Sequence, residues 1–220
     1  MVLYFIFHNS CFLSTFTIWS FVTLVIVKSS FIDKEYSDDI KRASNFLLED
    51  DLFTSYRHYE ETLDLFQKLS QTYPKIAKYG SIGKSVQNRE IFYLEMTMDI
   101  GGYHHNRPKV KLVGNMHGDE TIGREIIIYL TQYLLYNQDD PRCRTILENA
   151  RLYLMPSLNP DGFENSVEGQ CETPRNGEGR ENANHVDLNR NFPDQFLNTD
   201  KNKVYAAETS AMMNWITNNK

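Results

Sequence analysis

A chain of 220 residues, 41% of them apolar, is long enough to bury one core of ordinary size and too hydrophobic to stay disordered. With 29 acidic against 23 basic residues, a net charge of −6 and no basic stripe, it argues against nucleic acid as the main partner. Internal repeats, low-complexity tracts and Gly/Ser linkers are absent, so one folded domain is expected.

Residues 1–27 hold no Asp, Glu, Lys or Arg, and 21–27 is almost wholly apolar. The segment 1–30 therefore reads as a secretory signal peptide or an uncleaved signal anchor, although the usual basic residue before the apolar run is missing. This places the chain on the secretory route, extracellular or membrane-tethered through 1–27. A charged, exposed stretch follows over 31–52, and the folded part is expected over 53–220. Cys143 and Cys171, the two cysteines beyond the leader's Cys11, are open to a mutual bridge or to two free thiols.

Helical spacing of Tyr59, Leu63, Phe66 and Leu69 predicts a first helix over 54–71, stopped by Pro74. Strands follow over 76–82 and 90–98, joined by a turn through Gly83 and Asn88. In the second strand Ile91, Tyr93 and Glu95 alternate with Phe92, Leu94 and Met96, the mark of a largely buried strand. The loop 101–108 carries the surface pair His104 and His105. A strand from Lys109 then leads into a helix over 120–136, with Ile122, Ile126, Leu130, Tyr133 and Leu134 facing the core. Pro141 opens a short helix ending near Ala150, and 151–155 is the next strand. This β-α-β order implies a parallel pair within a mixed sheet covered by helices on both sides. The stretch 158–186 reads as one long loop, and such loops in compact domains are commonly functional. A last helix is expected over 205–217.

Chemistry concentrates in KVKLVGNMHGDETIGRE, residues 109–125. Its apolar strand ends at Gly114 and Asn115, and at the join with the following helix sit His117 and Glu120. Ligands in α/β proteins gather at such strand ends, and neutral imidazole with carboxylate is a donor set of hydrolytic zinc sites. A second H-x-x-E pair, His58 and Glu61, lies within the first helix pattern and reads as a solvated rim.

Three further stretches join this pair: MPSLNPDGFE (155–164), GR (179–180) and DLNRNFPDQF (187–196). Together with SIGKSV (81–86) and NMHGDETIGRE (115–125), they resemble the zinc metallocarboxypeptidases, in particular the regulatory branch that includes carboxypeptidases M, D, E and N. The resemblance implies an α/β fold, a mixed twisted sheet sandwiched by helices and incomplete at the C-terminus. It implies one Zn2+ ion held by His117 and Glu120, with Asp187 accepting a hydrogen bond from that histidine. Arg180 would stabilise the oxyanion, and Asn189 with Arg190 would clamp the terminal carboxylate of a peptide, because a planar guanidinium meets a carboxylate in two parallel bonds. Asn159, Pro160, Asp161 and Gly162 would form a structural turn, and His185 carries no ligand role. The implied reaction removes C-terminal residues, Lys or Arg in this branch, from peptides and proteins, by a monomer.

The resemblance also marks a departure. The third zinc ligand, the general-base glutamate and a substrate-contacting tyrosine of the family fall after the last helix and have no counterpart here. The expectation is therefore an inactive fragment of a secreted carboxypeptidase. Two alternatives stand beside it: a zinc deacylase of the aspartoacylase type, and a non-catalytic homologue that binds peptide C-termini.

Overall fold

The structure is a computed structural model that describes residues 2–3, 56–102, 106–170, 177–194 and 203–218. Two compact units divide the chain, residues 9–56 and the remainder, and of the first only Tyr56 is described. Most of the leader, the 31–52 segment, Cys11, Cys171 and the pair His104–His105 thus lie outside the described residues.

Five strands form one mixed sheet in the order β1-β4-β5-β3-β2. They are β1 (Val2–Leu3), β2 (Ala77–Lys84), β3 (Glu90–Met96), β4 (Lys109–Val113) and β5 (Arg151–Met155). The hairpin β2–β3 is antiparallel, with a bulge between Ser81 and Gly83, and Asn88 takes the left-handed turn at φ 65°. Strand β3 runs antiparallel to β5, while β4 is parallel to β5 and to the two-residue β1.

Alternation along the strands feeds two cores. Phe92, Leu94, Met96, Leu152 and Leu154 face helices α1 (Tyr59–Thr72), α2 (Ile122–Tyr136) and α3 (Pro141–Asn149) through Phe66, Leu69, Ile127, Ile128, Leu135 and Leu147. Ile91, Tyr153 and Met155 face the other way, against Leu158, Leu188 and helix α5 (Ala207–Asn218) through Met212 and Trp215. The sheet is thus covered on both faces. Burying each large apolar side chain, such as the fully buried Phe66, contributes about 1.5–3 kcal/mol. Cys143 is a buried free thiol, and among the described residues no helix is long and apolar enough to cross a membrane.

Three expectations shift. Helix α1 begins at Tyr59 rather than near 54, because its start is set by tertiary partners: Glu164 accepts the Tyr59 N–H at 2.8 Å, and Glu61 accepts that of His58 at 2.8 Å. The pair His58–Glu61 is thereby a helix cap on an exposed rim. Helix α2 begins at Ile122, and its inward face is as expected in its later turns but not at its start. Leu134 is buried and Leu130 and Tyr133 pack against the core, but Ile122 and Ile126 are about half exposed, and Arg124, Ile127, Ile128, Thr131, Gln132 and Leu135 are buried. The start is rotated because Arg124 is inside, donating to Thr62 Oγ1 at 2.7 Å and lying 4.0 Å over the Phe163 ring. Lastly, the expected loop 158–186 contains a one-turn helix α4 (Pro160–Glu164) where a turn was foreseen. Asn159 caps it by accepting the Gly162 N–H at 2.9 Å, and Pro160 occupies the first helical position.

Candidate metal and peptide site

The exit of β4 runs beside the exit of β5. Leu158 N–H donates to the Gly114 carbonyl and Asn159 N–H to that of Asn115, each at 3.1 Å. This pairing brings the loop carrying His117 against the start of α4. The approach is so close that a Cβ on Gly118 would lie 2.0 Å from the carbonyl carbon of Gly162 and 2.3 Å from the Gly179 oxygen. Only glycine fits there. The Gly118 N–H donates to the Arg180 carbonyl at 3.3 Å, and the Asn159 amide donates to the same oxygen at 3.2 Å. Arg180 is therefore fixed by its backbone to both the ligand loop and the α4 cap.

Four ionisable side chains converge. His117, about 5% exposed at its side chain, places Nδ1 3.1 Å from Glu120 Oε1 and Nε2 3.1 Å from Asp187 Oδ1. Arg180 donates through Nη1 to Glu120 Oε1 and through Nη2 to Asp187 Oδ2, each at 3.3 Å. Burial opposes the charged form of His117, but the hydrogen bond and charge of Glu120, then the bond to Asp187, outweigh it and raise the pKa, with Arg180 acting against them. Burial would raise both carboxyls too. Bonds to His117 and the charges of His117 and Arg180 prevail, so Glu120 and Asp187 are held below their ordinary values.

The donor set fits a divalent cation. Two donors about 2.1 Å from a tetrahedral ion stand roughly 3.4 Å apart, close to the separation of Nδ1 and Oε1. The two carboxylates flank the ring nitrogens at equal distances; with a metal on Nδ1 in place of a proton, Asp187 would hold the remaining proton on Nε2. Among the described residues, no group of three His, Cys, Asp or Glu side chains forms a complete metal cage.

Asp187 also caps the 3-10 turn Leu188–Arg190, accepting the Asn189 N–H at 2.9 Å. That turn carries Asn189, partly buried, and Arg190, exposed, directly beyond the carboxylate that touches His117. The Arg190 carbonyl accepts from Lys203 Nζ at 3.0 Å. His185 is exposed at φ 56°, and its Nδ1 lies 3.8 Å from Glu181 Oε2.

The sequence marks Asp161 as part of a structural turn but gives no sign of its partners, nor of the role of Glu208 in holding these loops. Asp161, fully buried, accepts from Ser85 Oγ, Gln87 N–H and Arg89 Nη1 at 2.7–2.8 Å. Glu208, equally buried, accepts from Val86 N–H at 3.1 Å and Asn182 Nδ2 at 2.9 Å. The β2–β3 turn is clasped between these carboxylates. Their long sequence separations left no local signal.

The family profile described as zinc carboxypeptidase matches residues 62–220. Human carboxypeptidase D is 40% identical over 164 residues, covering 73% of this chain and 11% of that protein. The chain belongs to the zinc carboxypeptidase family. Mouse carboxypeptidase M is likewise 40% identical over 161 residues, covering 72% of this chain and 35% of that protein. This zinc carboxypeptidase chain thus spans about a tenth of the length of its carboxypeptidase D relatives and about a third of carboxypeptidase M. The deacylase alternative gives way to this assignment. Among solved structures, thrombin activatable fibrinolysis inhibitor superposes with a TM-score of 0.63 at 16% identity, over 75% of this chain and 44% of that one. Carboxypeptidase A from Helicoverpa armigera does so at 0.61 and 18%, over 84% and 55%. These likenesses establish a shared fold.

Proposed function

We propose that this protein is a zinc metallocarboxypeptidase that removes single residues from the C-termini of peptides and proteins. The observation that carries the reading is the convergence of His117 Nδ1 and Glu120 Oε1, with Asp187 on the opposite ring nitrogen and Arg180 bridging both carboxylates. His117 and Glu120 would hold the ion, which when bound acidifies a water and polarises a carbonyl.

The chain's own groups do the rest. Asp187 keeps the His117 proton on Nε2. Among the described residues the Arg180 guanidinium makes two bonds of 3.3 Å, at the long end for N–H···O, which leaves it able to turn toward negative charge developing on the scissile carbonyl. Losing one such donor typically costs about 10²–10³ in rate. Asn189 and Arg190 hold the substrate's terminal carboxylate, which an internal peptide bond lacks, and the enzyme is thereby an exopeptidase. The resemblance to the regulatory branch extends the proposal to C-terminal Lys or Arg and a monomeric enzyme. The uncharged leader extends it to the secretory route, with residues 1–27 as the attachment if the membrane holds it.

The test incubates the zinc-loaded full-length protein with two peptides that differ only in a free or amidated C-terminus. Mass spectrometry should show loss of one residue from the free acid alone, abolished by chelation. Internal cleavage, or equal attack on the amide, contradicts the proposal. A second reading, a non-catalytic binder of peptide C-termini, is favoured by the incomplete set of metal donors among the described residues. Binding of the free acid without cleavage, lost in Arg190→Ala, would decide for it.

A further inference from the structure

Asn115, the second residue past β4, is 5% exposed and stands at φ 51°. Its amide nitrogen lies 2.8 Å from the His117 carbonyl oxygen, 2.9 Å from that of Gly118 and 3.2 Å from that of Glu120. Two N–H groups thus serve three carbonyls, including those of both candidate metal donors. At its other end, Oδ1 accepts the Ser157 hydroxyl at 2.6 Å. An amide that donates from nitrogen and accepts at oxygen is engaged at both ends, and the two sets of partners fix its orientation. Asparagine also tolerates the left-handed backbone this position requires.

Three of these bonds hold the backbone of the following loop, and the fourth, from Ser157, ties that loop to the exit of β5. Without them the Gly118 and Glu120 carbonyls lose this donor, the His117 carbonyl keeps the Glu120 N–H at 3.1 Å, and the loop loses its side-chain link to β5, which helps to point the imidazole at the carboxylate. We propose that Asn115, locked by Ser157, is a positioning residue: it holds loop 117–120 so that His117 and Glu120 converge before a metal arrives. The proposal rests on the reading of these two residues as zinc donors. It follows the general rule that losing a group which orients a metal's ligands typically costs about 10–100-fold in affinity.

The experiment titrates Zn2+ into the 220-residue chain by calorimetry and compares Asn115→Gly, Ser157→Ala and His117→Ala. Glycine accepts the positive φ and so removes the amide without straining the backbone. Asn115→Gly should weaken zinc about tenfold or more, and Ser157→Ala by a smaller factor. In the metal-free chain, amide exchange at Gly118 and Glu120 should quicken in both variants while the sheet amides keep their protection. A purely structural role would lower the unfolding midpoint and leave zinc affinity and local exchange of the folded chain unchanged, which overturns the proposal. So would an unchanged affinity in Asn115→Gly when His117→Ala has lost binding. If His117→Ala binds zinc like wild type, the metal reading itself falls, and the exchange at Gly118 and Glu120 alone judges whether Asn115 holds the loop. Should Asn115→Gly fail to fold, Ser157→Ala, which loses one hydroxyl, carries the comparison.

Discussion

Replacing Asp161 by alanine tests how the site's supporting loops are held. The carboxylate is fully buried and receives Ser85 Oγ at 2.7 Å, with Gln87 N–H and Arg89 Nη1 at 2.8 Å. These donors do not lose equally. Gln87 is exposed, so its N–H finds water at little cost. The Arg89 side chain is 27% exposed, and a screened ion pair of that kind is worth about 1 kcal/mol or less. Ser85, only 4% exposed, still accepts the Arg89 N–H at 3.1 Å, but its own O–H is left without an acceptor, at about 1–3 kcal/mol. The sum is about 3 kcal/mol, and at about 2–4 °C per kcal/mol for a domain of this size the midpoint should fall by roughly 6–12 °C. Asp161→Asn retains one acceptor oxygen and should lose less. Circular dichroism during thermal and urea unfolding reads both variants. A fall below about 1 kcal/mol in Asp161→Ala would refute the reasoning, because it would mean that water enters the Ser85 pocket freely.

Gly118→Ala should be more damaging to the site, since its Cβ would meet the backbone of Gly162 and Gly179; reduced thermal stability together with weakened zinc binding is expected, and an affinity equal to wild type would show the loop is not pinned there. Zinc affinity should also depend on pH in a fixed direction. Glu120 and Asp187 raise the His117 pKa, so zinc displaces a proton below that value, and affinity should climb by up to about tenfold per pH unit until the pKa is passed. A flat titration between mildly acidic and mildly basic buffer would contradict this. Cys143, 3% exposed with its thiol pKa raised by burial, should resist a thiol reagent in the folded chain and react on unfolding; rapid reaction in native buffer would argue against the packing of α3.

Much of the framework was legible because it depends on short-range pattern. Alternation from Glu90, the apolar run at Lys109 and the Pro141 helix start each specify an element, and the β4-α2-β5 order yields the parallel pair. The cap itself came with the fold: Asp140 accepts the Arg142 N–H at 2.9 Å at the start of α3. His117, Glu120, Arg180 and Asp187 were legible as motif positions, and the fold brings these four within hydrogen-bonding reach of one another. What escaped was set by distant partners. The inward face at the start of α2 depends on Arg124 finding Thr62, and the start of α1 on Glu164, more than a hundred residues away. Asn115, Asp161 and Glu208 look like ordinary polar loop or helix residues until the fold surrounds them with buried donors and carbonyls. No periodicity encodes such contacts.

X-ray absorption of the zinc-loaded chain bears most directly on the metal reading. The account predicts an ion bound by one imidazole nitrogen and carboxylate oxygen, with the imidazole contribution gone in His117→Ala and affinity sharply reduced in Glu120→Gln. A zinc spectrum and affinity left unchanged by both substitutions would contradict it.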